Sequence, residues 1–150
     1  MFKSNKITKD KVWHIAAIQE KLANLTAICL SEILYTPVLI KTTSIKKMPY
    51  KRYIHSISQG VTLASISTEP INEKGIIAID TGLYYEIIDR ICGGTGRKTK
   101  IRYGHTEIET SLLEGITVRM LGNLREAFCP TIDLRPRLLD IYTSPALNGK

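Results

Sequence analysis

Two distant stretches of the chain follow one plan. In the first, Val12, Ile15, Ile18, Leu22, Leu25, Cys29 and Ile33 recur three and four apart, the spacing of a single helix face, and Leu34-Tyr35-Thr36-Pro37-Val38 leads out of it. In the second, Ile108, Leu112, Ile116, Met120, Leu124 and Phe128 repeat that spacing, and Phe128-Cys129-Pro130-Thr131-Ile132 leads out. Proline cannot continue a helix and biases the residue before it toward extended geometry, so both junctions turn helix into strand by the same device. The chain therefore reads as a degenerate duplication. Each long helix must bury an apolar stripe against something shared.

The sequence between the helices supplies that partner. Thr8 is placed to cap a helix over 8–34, after a flexible lead at 1–7. Val38–Ile45 reads as a strand and Pro49–Ile57 as a short helical turn. Val61–Ser67 and Ile76–Asp80 read as strands joined through Glu69-Pro70-Ile71-Asn72. Asp80 or Thr81 opens a helix to about Cys92. Thr106 and Glu109 have the spacing of a capping box, in which hydroxyl and carboxylate each take up a backbone donor, and they open the helix 106–128. A last strand spans about Ile132–Tyr142, and nothing after it matches the two strands of the first unit, so the second repeat is incomplete. Strands grouped in hairpins predict one α+β domain over 1–150, two long helices flanking a mostly antiparallel sheet. Its length suffices for a core without disulfides or metal.

Charge narrows the function. Twenty-one basic and fourteen acidic residues leave +7, concentrated at Lys41, Lys46, Lys47, Lys51 and Arg52 and again at Arg97, Lys98, Lys100 and Arg102. Such patches suit nucleic acid or an acidic protein surface, or simply keep a face solvated. With no aromatic interleaving, helix-turn-helix pattern or zinc spacing, the nucleic-acid reading has only charge behind it. No apolar run is long enough to cross a bilayer, and Met1–Lys6 lacks an apolar signal core, which predicts a cytoplasmic protein. Cys29, Cys92 and Cys129 sit in or near apolar helical stretches, as reduced core thiols do.

The densest chemical signal is Tyr85-Glu86-Ile87-Ile88-Asp89-Arg90-Ile91-Cys92-Gly93-Gly94-Thr95-Gly96-Arg97, a helical turn running into three glycines in four residues. Bare backbone there serves a helix stop, a close contact, or both. A phosphate-binding P-loop requires glycine before its lysine and a preceding strand, and this loop has Arg97 and a helix instead. The dinucleotide fingerprint lacks its third glycine. His14, His55 and His105 share no ligand spacing with acids or cysteines, no Gly-x-Ser-x-Gly elbow occurs, and Glu107 and Glu109 suit the positive end of a helix. No catalytic site, metal, cofactor or small-molecule substrate is expected.

Ile87-Ile88-Asp89-Arg90 with Gly93-Gly94-Thr95-Gly96 resembles the signature of the FliM middle domain of flagellar motor switch proteins, relatives of the CheC and CheX phosphatases. The resemblance continues in order through Ile7-Thr8-Lys9-Asp10, Thr36-Pro37-Val38, Tyr50–Ile57, Glu69-Pro70, Gly75–Asp80, Thr106–Glu109, Leu124–Phe128 and Ser144-Pro145. It implies a three-layer, pseudo-duplicated CheC-like domain lacking the family's C-terminal part, an excised or truncated piece of a switch protein. It also implies a non-enzymatic place in the C-ring at the cytoplasmic face of the basal body, beside neighbouring FliM subunits, serving rotation direction and chemotaxis. Contact with the membrane would be indirect only. Gly93, Gly94, Thr95 and Gly96 are then the candidate contacts for FliG, flanked by Asp89, Arg90 and Arg97.

The phosphatase relatives offer a different function, hydrolysis of phosphorylated CheY, through Glu-x-x-Asn on each long helix. Here Glu20 is followed by Ala23 at that spacing and Asn24 falls about 100° further round. Glu114 is followed by Thr117, and Asn123 has Met120 where the glutamate belongs. Both sites depart from the pattern.

Overall fold

Strand β1 (Val61–Glu69) is the centre of the molecule: β2 (Glu73–Asp80) and β3 (Arg135–Thr143) pair with it on either side, both antiparallel. The structure, a computed structural model, describes residues 9–57, 59–95, 106–129 and 131–143, with side chains from 14 to 142. The helices are α1 (Lys9–Leu34), α2 (Tyr50–Ser56), α3 (Thr81–Ile91) and α4 (Glu107–Phe128). Among the described residues the fold is α+β, with a three-stranded antiparallel sheet in the order β2-β1-β3.

The register sorts side chains by face. Thr62, Ala64, Ile77, Ile79 and Ile141 fall on one face, since residues two apart along a strand and directly opposite across a ladder share a side. Ile79 and Ile141 pack there against Tyr84 and Ile88 of α3 and Leu112 and Leu113 of α4. α1 packs on α4. Leu63, Ala78 and Tyr142 occupy the other face, where Tyr53 of α2 lies near Tyr142; burial, with Tyr50 and Tyr142 nearby, raises the Tyr53 phenol above its ordinary pKa. α3 and α4 thus cover one face of the sheet, and Tyr53 of α2 approaches the other.

Local chemistry sets the helix boundaries. Thr106 Oγ1 accepts from the Glu109 amide at 3.2 Å and Glu109 Oε2 from the Thr106 amide at 3.0 Å, the capping box expected from sequence. Asp80, rather than Thr81, caps α3, its Oδ1 accepting from the Leu83 amide at 3.0 Å. The expected Thr8 cap and the 1–7 lead lie outside the described residues. α1 ends at Leu34, and Tyr35 turns the chain with φ of 51°, its side chain in solvent. Lys21 of α1 reaches the end of α4, donating from Nζ to the Glu126 and Cys129 carbonyls at 3.1 and 3.4 Å, where a cation suits the negative helix terminus.

Several expectations need correction. Val38–Ile45 forms no strand: β1 already has a strand on each edge, and no other strand among the described residues reaches this segment. The duplication is therefore visible as two long helices, with a paired strand after only the second. Ile108 is 73% exposed and falls off the apolar face of α4; the rest of the expected stripe faces inward, with Ile116 and Phe128 buried and Leu112, Met120 and Leu124 half-buried, and Leu113, Thr117 and Leu121 are buried beside it. Cys92 and Cys129 are exposed rather than core thiols, because each occupies a helix C-cap where the chain leaves the packed layer; Cys29 is half-buried.

One buried polar pair joins sheet to helix. The hydroxyls of Thr62 and Thr81, 2% and 1% exposed, lie 3.0 Å apart. Thr62→Val or Thr81→Val leaves one buried hydroxyl without this partner and is expected to cost about 1–3 kcal/mol, whereas the double substitution should be nearly neutral. Urea unfolding of both single variants and the double variant checks this.

Candidate partner-binding turn

α3 delivers the glycine turn, and its inner face fixes where the turn sits. Tyr84, Tyr85, Ile87 and Ile88 are buried, while Leu83 and Arg90 face solvent. Tyr84 is 1% exposed and its hydroxyl donates to the Glu109 carbonyl at 2.6 Å, tying α3 to the first turn of α4. Burial, then the nearby Glu109 and Tyr85, push the Tyr84 phenol far above its ordinary pKa.

The helix ends in a Schellman motif. The Gly93 amide donates to the Arg90 carbonyl at 3.1 Å and the Gly94 amide to the Asp89 carbonyl at 2.7 Å, with Gly93 at φ of +93°. Glycine suits that left-handed position, and nothing lies within 4 Å of where a Cβ on Gly93 would point. Gly94 is bare for a different reason. A Cβ there would fall onto the Asp89 carboxylate, which folds back over the turn.

The seven candidate residues thus separate. Gly93, Gly94, Thr95 and Arg90 are exposed at one end of α3, and Asp89 is half-buried with its carboxylate beside Gly94. Gly96 and Arg97 lie outside the described residues. Sequence reasoning did not foresee that the Gly93 and Gly94 amides are consumed by the helix cap, which takes up carbonyls the helix cannot satisfy itself. Nor did it foresee the inward turn of Asp89. The spacing of Asp89 five residues before Gly94 was the available signal for both. What the turn offers a partner is close approach to bare main chain, beside the Arg90 cation and the Thr95 hydroxyl.

The alternative chemistries find no such assembly. Thr117, where the phosphatase pattern needs an amide, is wholly buried and donates to the Leu113 carbonyl at 2.8 Å, while Glu114 is exposed. Glu20 is exposed and Asn123 half-buried. His14 and His55 are exposed, and His105 lies outside the described residues. Lys41, Lys46, Lys47, Lys51 and Arg52 form an exposed basic stretch away from the glycine turn in sequence, whereas Arg97, Lys98, Lys100 and Arg102 lie outside the described residues.

The family described as flagellar motor switch protein FliM matches residues 8–148. The chain is 37% identical over 141 residues to the flagellar motor switch protein FliM of Treponema pallidum, and 34% identical over 142 residues to that of Borreliella burgdorferi. Each match takes in 94% of this chain, which spans 41% and 40% of those relatives. Among solved structures, the crystal structure of a FliG-FliM complex from H. pylori superposes with a TM-score of 0.85 at 23% identity, over 91% of this chain and 75% of the other. The H. pylori FliM middle domain gives 0.80 at 22%, over 91% and 74%. These likenesses establish the fold.

Proposed function

The chain belongs to the FliM family, and from that premise we propose that it is a non-enzymatic part of the flagellar motor switch, binding FliG through the turn at the end of α3. Gly93, Gly94 and Thr95 make the close contact, with Asp89 setting the turn from behind and Arg90 flanking it; Gly96 and Arg97 follow in sequence and are the remaining candidates. The observation that carries this reading is the exposed glycine turn on a helix anchored from both sides, by Tyr84 to α4 and by Asp80 at its start. A relative of the same fold is known as a complex with FliG. The place of work is the cytoplasmic face of the basal body, beside neighbouring FliM subunits, in control of rotation direction.

The test is direct. Titrated with a FliG middle domain in a calorimeter, the chain is expected to form a one-to-one complex. No heat and no co-elution on gel filtration would overturn the reading.

A further inference from the structure

The N-terminal half of α4 carries three separate features that loosen a helix, and one of them is a side chain of α3. In an unperturbed helix the Leu113 amide and the Glu109 carbonyl form a single rung of the ladder. The Tyr84 hydroxyl engages both members of that rung: it donates to the Glu109 carbonyl at 2.6 Å, and a backbone hydrogen bond from Leu113 reaches the same oxygen. One turn on, the buried Thr117 hydroxyl donates to the Leu113 carbonyl at 2.8 Å, so the next rung is shared as well. Side chains that enter the ladder weaken its bonds, and helices bend at such places.

Between the two hydroxyls lies Gly115, in the interior of α4 and on its exposed side. Nothing lies within 4 Å of where a Cβ there would point, and its backbone is not left-handed. Nothing among the described residues therefore requires it to be bare, although glycine is a poorer helix former than alanine. A helix that must flex at this point does require it, because glycine is the most permissive residue for a change of backbone angle.

Different helices grip the two sides of this stretch. Tyr84 of α3 holds the first turn of α4, and Lys21 of α1 holds the other end through the Glu126 and Cys129 carbonyls. α3 packs on α4 through Tyr84 and Ile88 and ends in the glycine turn, roughly 14 Å beyond Tyr84 at the rise of a helix. Two arrangements are open to the Glu109–Leu113 rung. With Tyr84 in place the hydroxyl shares it; with Tyr84 withdrawn the amide and carbonyl close on each other alone, and no backbone group is left unpaired. We infer that α4 is hinged at Gly115 and that Tyr84 couples this hinge to the glycine turn, so that the set of α3 and the bend of α4 change together. That a partner seated on the turn resets α4 rests on the site reading above; the coupling itself does not.

Amide exchange of the free chain decides the coupling. Gly115→Ala stiffens the hinge, and Gly122→Ala, with equal room for its Cβ, supplies the same gain in helix propensity elsewhere in α4. Gly115→Ala is expected to change exchange of the Gly93 and Gly94 amides about fivefold, and Gly122→Ala to leave it unchanged. In a Tyr84→Phe background the effect of Gly115→Ala should disappear, whereas changes that act independently would add. An equal effect of both alanines, no effect at the turn, or an undiminished effect in Tyr84→Phe overturns the inference. A FliG middle domain then separates the two readings. At saturation it should alter exchange over Leu113–Thr117 by a similar factor in the wild type and not in Tyr84→Phe. Binding without that change in the wild type overturns the coupling. Absence of binding overturns the site on the turn, and the free chain still decides the hinge.

Discussion

Gly94→Arg is expected to remove FliG binding while leaving the fold in place. A side chain at Gly94 meets the far end of the Asp89 side chain rather than backbone, so the carboxylate is what must shift, not the helix cap or the core. The arginine then stands where the partner's main chain would approach, and draws the displaced Asp89 carboxylate across the turn. Loss of a central close contact of this kind corresponds to about 100-fold or more in affinity. Gly93→Ala is the matched control. Its Cβ has open space but must adopt a left-handed φ, so it should cost about 1 kcal/mol of stability and leave affinity much less affected. Calorimetric titration and thermal melts of both variants separate the contact from the cap. Unchanged FliG affinity in Gly94→Arg would move the site off this turn.

Tyr84→Ala should be among the most destabilising single changes in the chain. The ring is 1% exposed in the cluster with Ile88 and Leu113, its centroid lies 5.8 Å from that of Tyr85, and its hydroxyl holds the Glu109 carbonyl. Removing an aromatic side chain from such a site costs about 3–5 kcal/mol, a large part of a total that is about 5–15 kcal/mol for a domain. Tyr84→Phe keeps the ring and gives up only the hydrogen bond, for about 0.5–1.5 kcal/mol. The two variants also differ in alkaline behaviour. A phenol whose folded pKa is raised contributes stability that is fully present below the unfolded value, about 10, and is lost as pH rises beyond it. The wild type should therefore weaken more steeply above that pH than Tyr84→Phe. Urea unfolding at neutral and alkaline pH measures both effects.

How far the sequence reveals this molecule depends on where each cause resides. The α4 capping box is legible because both partners lie within three residues, and so are the β1–β2 hairpin and the long helices, whose periodicity is local. The Schellman cap follows from Gly93, yet the use of both glycine amides became evident only with the hydrogen bonds in hand. Lys21 on the end of α4 and Tyr84 on Glu109 join residues far apart in sequence, and no spacing rule announces such pairs. The segment Val38–Ile45 shows the opposite error. Its residues favour a strand, but a strand exists only with a neighbour, and composition cannot say whether one arrives.

The central position of β1 has a consequence for synthesis. β2 follows it within a few residues, so that hairpin can close as soon as both strands have left the ribosome, whereas β3 comes roughly seventy residues after β1 begins. Until then one edge of β1 and the apolar residues behind it lack their native cover. The nascent chain must carry that open edge while α3 and α4 are made, and the interval is set by translation rate rather than by the speed of folding. A pause before β3 lengthens the exposure; rapid elongation through α4 shortens it.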